Sequence, residues 1–326
     1  MTDLSTTYMG IPLKSPLVVA ASPISSMIDR VKKAEEAGAG ALVIRSLFEE
    51  QIALDQQRLE DMLSVGANSF AESLSYFPTV QHGDAGEHLM WVEKTRKETS
   101  MPLIASLNAV SPGAWTEYAK QLEATGVNGL ELNVYAVATD LNKTGVEIEK
   151  ELYAIVSSVK AAVSIPVSVK LSPFYTSVVN VAAELDKQGV GALVLFNRFL
   201  QPDIDVDTES LVNEMTYSTP REMLAPLRWV ALLYGRIKAD VALNRGVHSG
   251  RDAVKALLAG ARVVQIASTL LENGVPYLST MLLDLEGWMN ERGYETLDDF
   301  RGQVSQKTCA DPFAFERAQY VKLLLS

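Results

Sequence analysis

The sequence predicts a parallel (β/α)8 barrel, and three observations carry the prediction. Eight short runs are almost continuously apolar, as strands buried on both faces are: residues 17–21, 41–45, 103–107, 129–134, 167–171, 192–197, 240–244 and 263–267. Stretches of helical period lie between and after them, at 29–37, 87–98, 115–124, 147–161, 178–188, 225–237 and 251–258. Small glycine-bearing turns recur just before a strand: Ala37-Gly38-Ala39-Gly40, Thr125-Gly126-Val127-Asn128-Gly129, Gln188-Gly189-Val190-Gly191 and Ala259-Gly260-Ala261-Arg262. A glycine past the last helical turn supplies a left-handed cap, and the strand then begins. Units of this kind close into a barrel; a doubly wound open sheet of eight strands is the alternative.

The chain has 326 residues, more than the roughly 250 of a plain barrel, so one decorated domain over 1–326 has length to spare. Residues 1–15 are expected to hold a hairpin, over 4–14 with its turn at Met9-Gly10, that closes the barrel bottom. Two long segments, 47–86 and 198–224, follow strands and are expected to wall the catalytic face. The polar tail, 293–326, is expected to pack on the outside or at a subunit contact.

Composition excludes several classes. With 48% apolar and 21% charged residues, and 20 Gly and 13 Pro without low-complexity runs, the chain is neither disordered nor collagen-like. Lys and Arg number 29 against 40 Asp and Glu, and the net charge of −11 repels phosphate backbones and anionic lipid. A small-molecule partner is therefore expected, and neither nucleic acid nor membrane. A single cysteine, Cys309, cannot form an intrachain disulfide, a four-cysteine zinc site or an iron–sulfur cluster. The histidines, His82, His88 and His248, lack metal-ligand spacing, which disfavours a zinc hydrolase. The opening MTDLSTTYMG has no signal-peptide character, and no apolar run nears the ~18 residues of a membrane span; a cytoplasmic location is expected.

In a barrel the C-terminal strand ends face the active site. Read in order their polar residues are Ser22, Arg45 and Ser46, Ser106 and Asn108, Glu131 and Asn133, Lys170, Asn197, Asn244, Gln265 and Ser268. Amides and hydroxyls around one lysine suit a planar heterocycle with alternating donors and acceptors, such as flavin. After strand seven comes Asn244-Arg245-Gly246-Val247-His248-Ser249-Gly250, and after strand eight Ala267-Ser268-Thr269. Barrels often hold a phosphate at this corner.

These residues resemble the dihydroorotate dehydrogenase family, FMN-containing barrels that oxidise dihydroorotate to orotate in pyrimidine biosynthesis. The likeness runs from Leu4-Ser5-Thr6-Thr7 and Lys14-Ser15-Pro16-Leu17 to Val263-Val264-Gln265-Ile266. It is carried by Pro166-Val167-Ser168-Val169-Lys170-Leu171-Ser172-Pro173 and by Gly260-Ala261-Arg262-Val263-Val264-Gln265-Ile266. The resemblance implies Lys170 at the N1/O2 edge of the flavin, Asn133 on flavin or substrate, and Asn197 and Asn68 on substrate. It implies Gly246, Val247, Ala267 and Ser268 around the FMN phosphate, with Ala21, Ser22, Arg45, Ser46 and Asn108 also against the cofactor. It further implies a soluble homodimer with fumarate or NAD as acceptor, the NAD-linked form needing a separate electron-transfer partner.

The chain departs from the family pattern at the base. Members that oxidise dihydroorotate carry Asn-x-Ser-(Cys or Ser)-Pro-Asn after strand four; here the segment reads Asn133-Val134-Tyr135-Ala136-Val137-Ala138. The base position falls on Ala136, and loss of a general base removes about 10²–10⁴-fold of rate. Tyr135 is the adjacent replacement, with Asp140 and His248 as further options. Arg45 stands where the family has a strand-two lysine, and Ala267 where it has a glycine. Besides dihydroorotate oxidation, two readings stay open: a flavoprotein acting on another cyclic or unsaturated compound, and a non-redox aldolase or isomerase using Lys170 as a Schiff-base amine.

Overall fold

The computed structural model describes residues 2–48, 85–108, 112–134, 137–198, 201–212 and 216–316. Asn68, His82, Tyr135 and Ala136 lie outside the described residues, as does most of the 47–86 segment. Its barrel strands are β3 (Leu17–Val19), β4 (Ala41–Phe48), β5 (Leu103–Asn108), β6 (Gly129–Asn133), β7 (Val167–Leu171), β8 (Ala192–Leu195), β11 (Asp240–Asn244) and β12 (Val263–Ile266). They are all parallel and close in the order β3-β4-β5-β6-β7-β8-β11-β12, so the barrel is confirmed and the open sheet excluded.

Helices α1 (Ile28–Glu36), α2 (Ala85–Glu98), α3 (Pro112–Ala124), α4 (Gly145–Ala162), α5 (Val178–Lys187), α6 (Leu224–Leu233) and α7 (Gly250–Ala259) surround it. The capping glycines Gly38, Gly126, Gly189 and Gly260 all have positive φ. At Gly260 the requirement is double: φ is 114°, and a Cβ would come within 2.3 Å of the Tyr234 ring. Helix α6 stops at Leu233, short of the expected 237, because Gly235 takes φ 72° and turns the chain toward β11.

A short helix, α8 (Ser268–Asn273), opens at the expected Ala267-Ser268-Thr269 corner, and the sequence reading omits one helix, α9 (Tyr277–Arg292). On α9, Leu278, Met281, Leu285 and Met289 recur at helical spacing and are all buried. Against α7 and α9 pack Leu297 and Phe300, with the Trp288, Tyr294 and Phe300 rings in mutual contact. The 198–224 segment contains a small antiparallel hairpin, β9 (Asp203–Asp205) with β10 (Ser210–Val212).

Side chains sort into two shells, as the period of two along each strand requires. Outward residues such as Leu42, Leu103, Leu130 and Val169 meet the helices. Inward residues, among them Val18, Val43, Ile104, Val194 and Ala242, fill the lower barrel. The antiparallel pair β1 (Thr6–Tyr8) and β2 (Ile11–Leu13) seals that end. Tyr8 is fully buried there, and the Met9 amide donates to Asp240 at 2.8 Å. Burial, and then the charges of Glu131 and Asp240, push the Tyr8 hydroxyl well above its ordinary pKa, so it stays neutral. No helix among the described residues is long and apolar enough to cross a membrane.

Candidate active site

Above the apolar floor the interior turns polar. Glu131 on β6 and Lys170 on β7 approach to 3.3 Å, and Gln265 on β12 donates to the other Glu131 oxygen at 2.6 Å while accepting from Lys170 at 3.4 Å. All three are almost completely buried. Paired this way the two charges avoid the several kcal/mol that an unpaired buried ion costs. The register explains the meeting: Asn133 lies opposite Lys170, and Glu131 opposite Ser168.

A cavity of about 490 Å³ opens over this network, within the ~300–1,000 Å³ range of small-molecule sites. Of the residues expected at the flavin, Ala21, Ser22, Arg45, Ser46, Asn133 and Lys170 line it. So do Gly246, Val247, Ala267 and Ser268 from the expected phosphate corner, and Asn197 from the expected substrate face. Asn108 does not: it is buried at the end of β5, paired in register with Phe48. Arg45 and Ser46 reach the cavity where the β4–β5 register shifts between Ile44 and Leu47. Such an irregularity re-aims side chains. The Arg45 amide donates to Ser25 Oγ at 2.8 Å, and the Ser46 and Ser106 hydroxyls share a hydrogen bond of 2.7 Å.

Charge in the lining is one-sided. Arg45, Lys170, Arg198 and Arg245 line the cavity, and no Asp or Glu does, among the described residues. In a chain of net charge −11 this is a local inversion that favours an anionic ligand. Arg245 takes φ 90° and pairs with Glu222 at 2.5 Å. Burial works against the Glu222 carboxylate, yet the Thr219 amide and Arg245 hold it below its usual range.

Gly246 follows at φ 71°, where a Cβ would sit 2.3 Å from the Met223 nitrogen. Only glycine lets this loop approach the 220–223 turn. Behind the corner, Ser218 donates through its amide and its hydroxyl to Ser268 Oγ, at 3.1 and 3.0 Å. Its hydroxyl also lies 3.3 Å from His248 Nε2, whose ring turns Nδ1 toward Glu272 at 3.5 Å.

Sequence reading missed Ser26, Arg198, Tyr217 and Ser218, which also line the cavity. A signal existed for Ser218: Thr219-Pro220-Arg221-Glu222 is a capping box, which fixes the start of a helical turn one residue later. His88, which lacks metal-ligand spacing in the sequence, is buried on α2, and its Nε2 has no hydrogen-bond partner. Burial, with Arg45 nearby, lowers its pKa to about 4. Cys309 is partly buried in the segment after α9.

Two polar atoms on the cavity wall are buried without partners, Ser22 Oγ and Asn133 Oδ1. Buried polar groups are otherwise satisfied in folded proteins, which sets these two atoms apart on the wall. A closed barrel with a cationic, amide-lined cavity at its strand ends is the architecture of a barrel enzyme with a small-molecule site. The chain belongs to the dihydroorotate dehydrogenase family, whose profile matches residues 3–289.

Members are oxidoreductases acting on CH–CH bonds. Among similar proteins is the catalytic subunit of a dihydroorotate dehydrogenase B (NAD(+)) from Methanothermobacter thermautotrophicus, 28% identical over 307 residues, 92% of this chain and 97% of that one. A dihydroorotate dehydrogenase A (fumarate) from Lactobacillus helveticus is 28% identical over 212 residues, 63% of this chain and 68% of that one. A chloroplastic dihydropyrimidine dehydrogenase (NADP(+)) from Arabidopsis thaliana is 24% identical over 334 residues, 93% of this chain and 77% of that one. The three names carry three different electron acceptors.

Proposed function

We propose that the protein is an FMN-dependent oxidoreductase that exchanges two hydrogens with a flat, anionic ring substrate, with dihydroorotate oxidation to orotate as the first reaction to test. The observation that carries the proposal is the cavity itself: four cations and no carboxylate in its described lining, with two orphaned polar atoms on its wall, one of them on Asn133 opposite Lys170. Family membership leaves the aldolase reading without support.

The residues present fit FMN. Lys170 and Asn133 would hold the ring edge, Ser22 would contact the ring from β3's end, and Gly246, Val247, Ala267 and Ser268 would surround the phosphate. When bound, FMN supplies a two-electron acceptor that takes a hydride at N5. Lys170 would bring a positive charge to the ring edge, and Glu131 with Gln265 fixes the position of its ammonium group. Arg45 and Asn197 face the remaining space and suit the carboxylate and amide edge of an orotate-like ring.

Oxidising a saturated CH–CH bond releases one hydrogen as hydride and the other as a proton, and the proton needs a base. At the family's base position stands Ala136, with Tyr135 beside it. That substitution favours a second reading: a substrate other than dihydroorotate, cyclic or unsaturated, whose proton is handled by Tyr135 or by water. Anaerobic mixing of the FMN-loaded protein with dihydroorotate separates the two. Bleaching of the flavin band supports dihydroorotate chemistry, and a persistently oxidised flavin supports the second substrate. A homodimer, a cytoplasmic location and a separate electron-transfer partner remain part of the proposal.

A further inference from the structure

A second cavity, of about 250 Å³, opens at the other end of the barrel. Asp240, the first residue of β11, and Arg262, which immediately precedes β12, both line it. It therefore lies on the N-terminal face, away from Lys170 and Ser268 at the strand ends. Its charged lining consists of Lys238, Arg262, Arg301 and Lys307 against the single carboxylate of Asp240.

The two guanidiniums are fixed and already neutralised. Arg301, 8% exposed, donates Nε to Asp298 at 2.8 Å, Nη1 to the carbonyls of Ala261 and Arg262 at 2.5 and 2.9 Å, and Nη2 to Thr6 Oγ1 at 3.2 Å. Arg262 is shared between Asp240 at 3.1 Å and Asp298 at 3.6 Å. The nearby Asp186 carboxylate accepts from the Lys238 and Ala239 amides at 2.9 and 2.7 Å.

The two ammoniums are different. Neither Lys238 nor Lys307 has an ion-pair partner among the described residues. Lys307 lies across Gly235, where a Cβ would come within 2.8 Å of Cδ and 3.0 Å of Nζ, and this contact brings its ammonium to the cavity wall. Burial, with a smaller contribution from the like charge of Arg262, pushes Arg301 below its ordinary pKa against the opposing pull of Asp298. The positive charge left without a partner at the cavity is that of the two lysines.

We infer that this cavity is a binding site for a small phosphate-bearing anion, separate from the cavity at the strand ends. Two uncompensated ammoniums match the charge of a phosphate dianion, and mobile lysine donors suit its tetrahedral oxygens. The volume exceeds what a lone phosphate fills, so pyrophosphate or a phosphomonoester is the better fit.

Isothermal titration of the full-length protein with inorganic phosphate, pyrophosphate and AMP, in separate arms, tests the site. The expected result is saturable binding of at least one probe at one per chain. That binding weakens by about tenfold or more in Lys238→Ala/Lys307→Ala and is unchanged in Ser268→Ala. The stronger of the AMP and inorganic arms identifies whether a phosphomonoester or a free anion is the ligand. Both lysines are exposed, so the double variant is expected to fold, and circular dichroism verifies it. Absence of saturable binding overturns the inference. So does binding that survives loss of both lysines, or that is lost in Ser268→Ala and therefore occupies the other end of the barrel.

Discussion

Glu131 and Lys170 stand on neighbouring strands with their charged atoms 3.3 Å apart, and their side chains are 0% and 7% exposed. Removing one partner strands the other charge. Lys170→Met is expected to destabilise the fold by about 3–5 kcal/mol, and Glu131→Gln/Lys170→Met to recover most of that loss. Urea denaturation of the two variants and the parent checks the pattern. A double variant less stable than the single would contradict it.

His88 makes stability depend on pH. Its folded pKa of about 4 lies below the ordinary 6.5, because burial and Arg45 penalise the imidazolium. Between those values the unfolded chain binds a proton that the folded chain refuses. Stability from this group is therefore fully present above pH 6.5 and falls as the pH drops to about 4, by about 3 kcal/mol in total. Denaturation midpoints across that range should show the slope in the parent and lose it in His88→Gln.

Gly246 couples the expected phosphate corner to the 220–223 turn. With φ at 71° and the Met223 nitrogen 2.3 Å from a built Cβ, Gly246→Ala forces the loop outward. The backbone conformation alone costs about 1–2 kcal/mol. Fluorescence titration with FMN should show affinity reduced by about tenfold or more. Undiminished FMN binding would remove Gly246 from the phosphate corner.

Position 136 offers a gain of function. If the alanine at the family's base position limits dihydroorotate oxidation, Ala136→Ser or Ala136→Cys should accelerate anaerobic flavin reduction by dihydroorotate, by up to about 10²–10⁴-fold. Tyr135→Phe in the parent should slow reduction only if the tyrosine has taken over the proton. Stopped-flow absorbance reads both effects, and no acceleration in either position-136 variant would turn the assignment toward a different substrate.

What was legible in the sequence followed strand periodicity. Lys170 stands out because Ser168 and Lys170 are the inward members of an otherwise apolar strand, and the barrel brings them beside Glu131 and Asn133. Asn108 shares its period with Ser106, yet only Ser106 reaches the cavity; alternation fixes a face of the strand but not its height in the barrel. Arg198, Tyr217 and Ser218 come from a segment with no period, and their place depends on long-range contacts such as Ser218 to Ser268. Helix α9 carries a regular apolar spacing, Leu278, Met281, Leu285 and Met289, that is itself a sequence signal. The lower cavity was not legible, because it joins residues from 233 to 307 through the fold of the tail.

The central claim is that the strand-end cavity is a flavin site organised around Lys170. The most direct measurement is the visible spectrum of the protein after saturation with FMN and removal of free cofactor, run beside Lys170→Met and an Asn133→Ala/Ser22→Ala variant. The account predicts about one flavin retained per chain in the parent, with a perturbed absorption band, and much weaker retention in both variants. A parent that releases all its FMN, or variants that retain it as tightly as the parent, would contradict it.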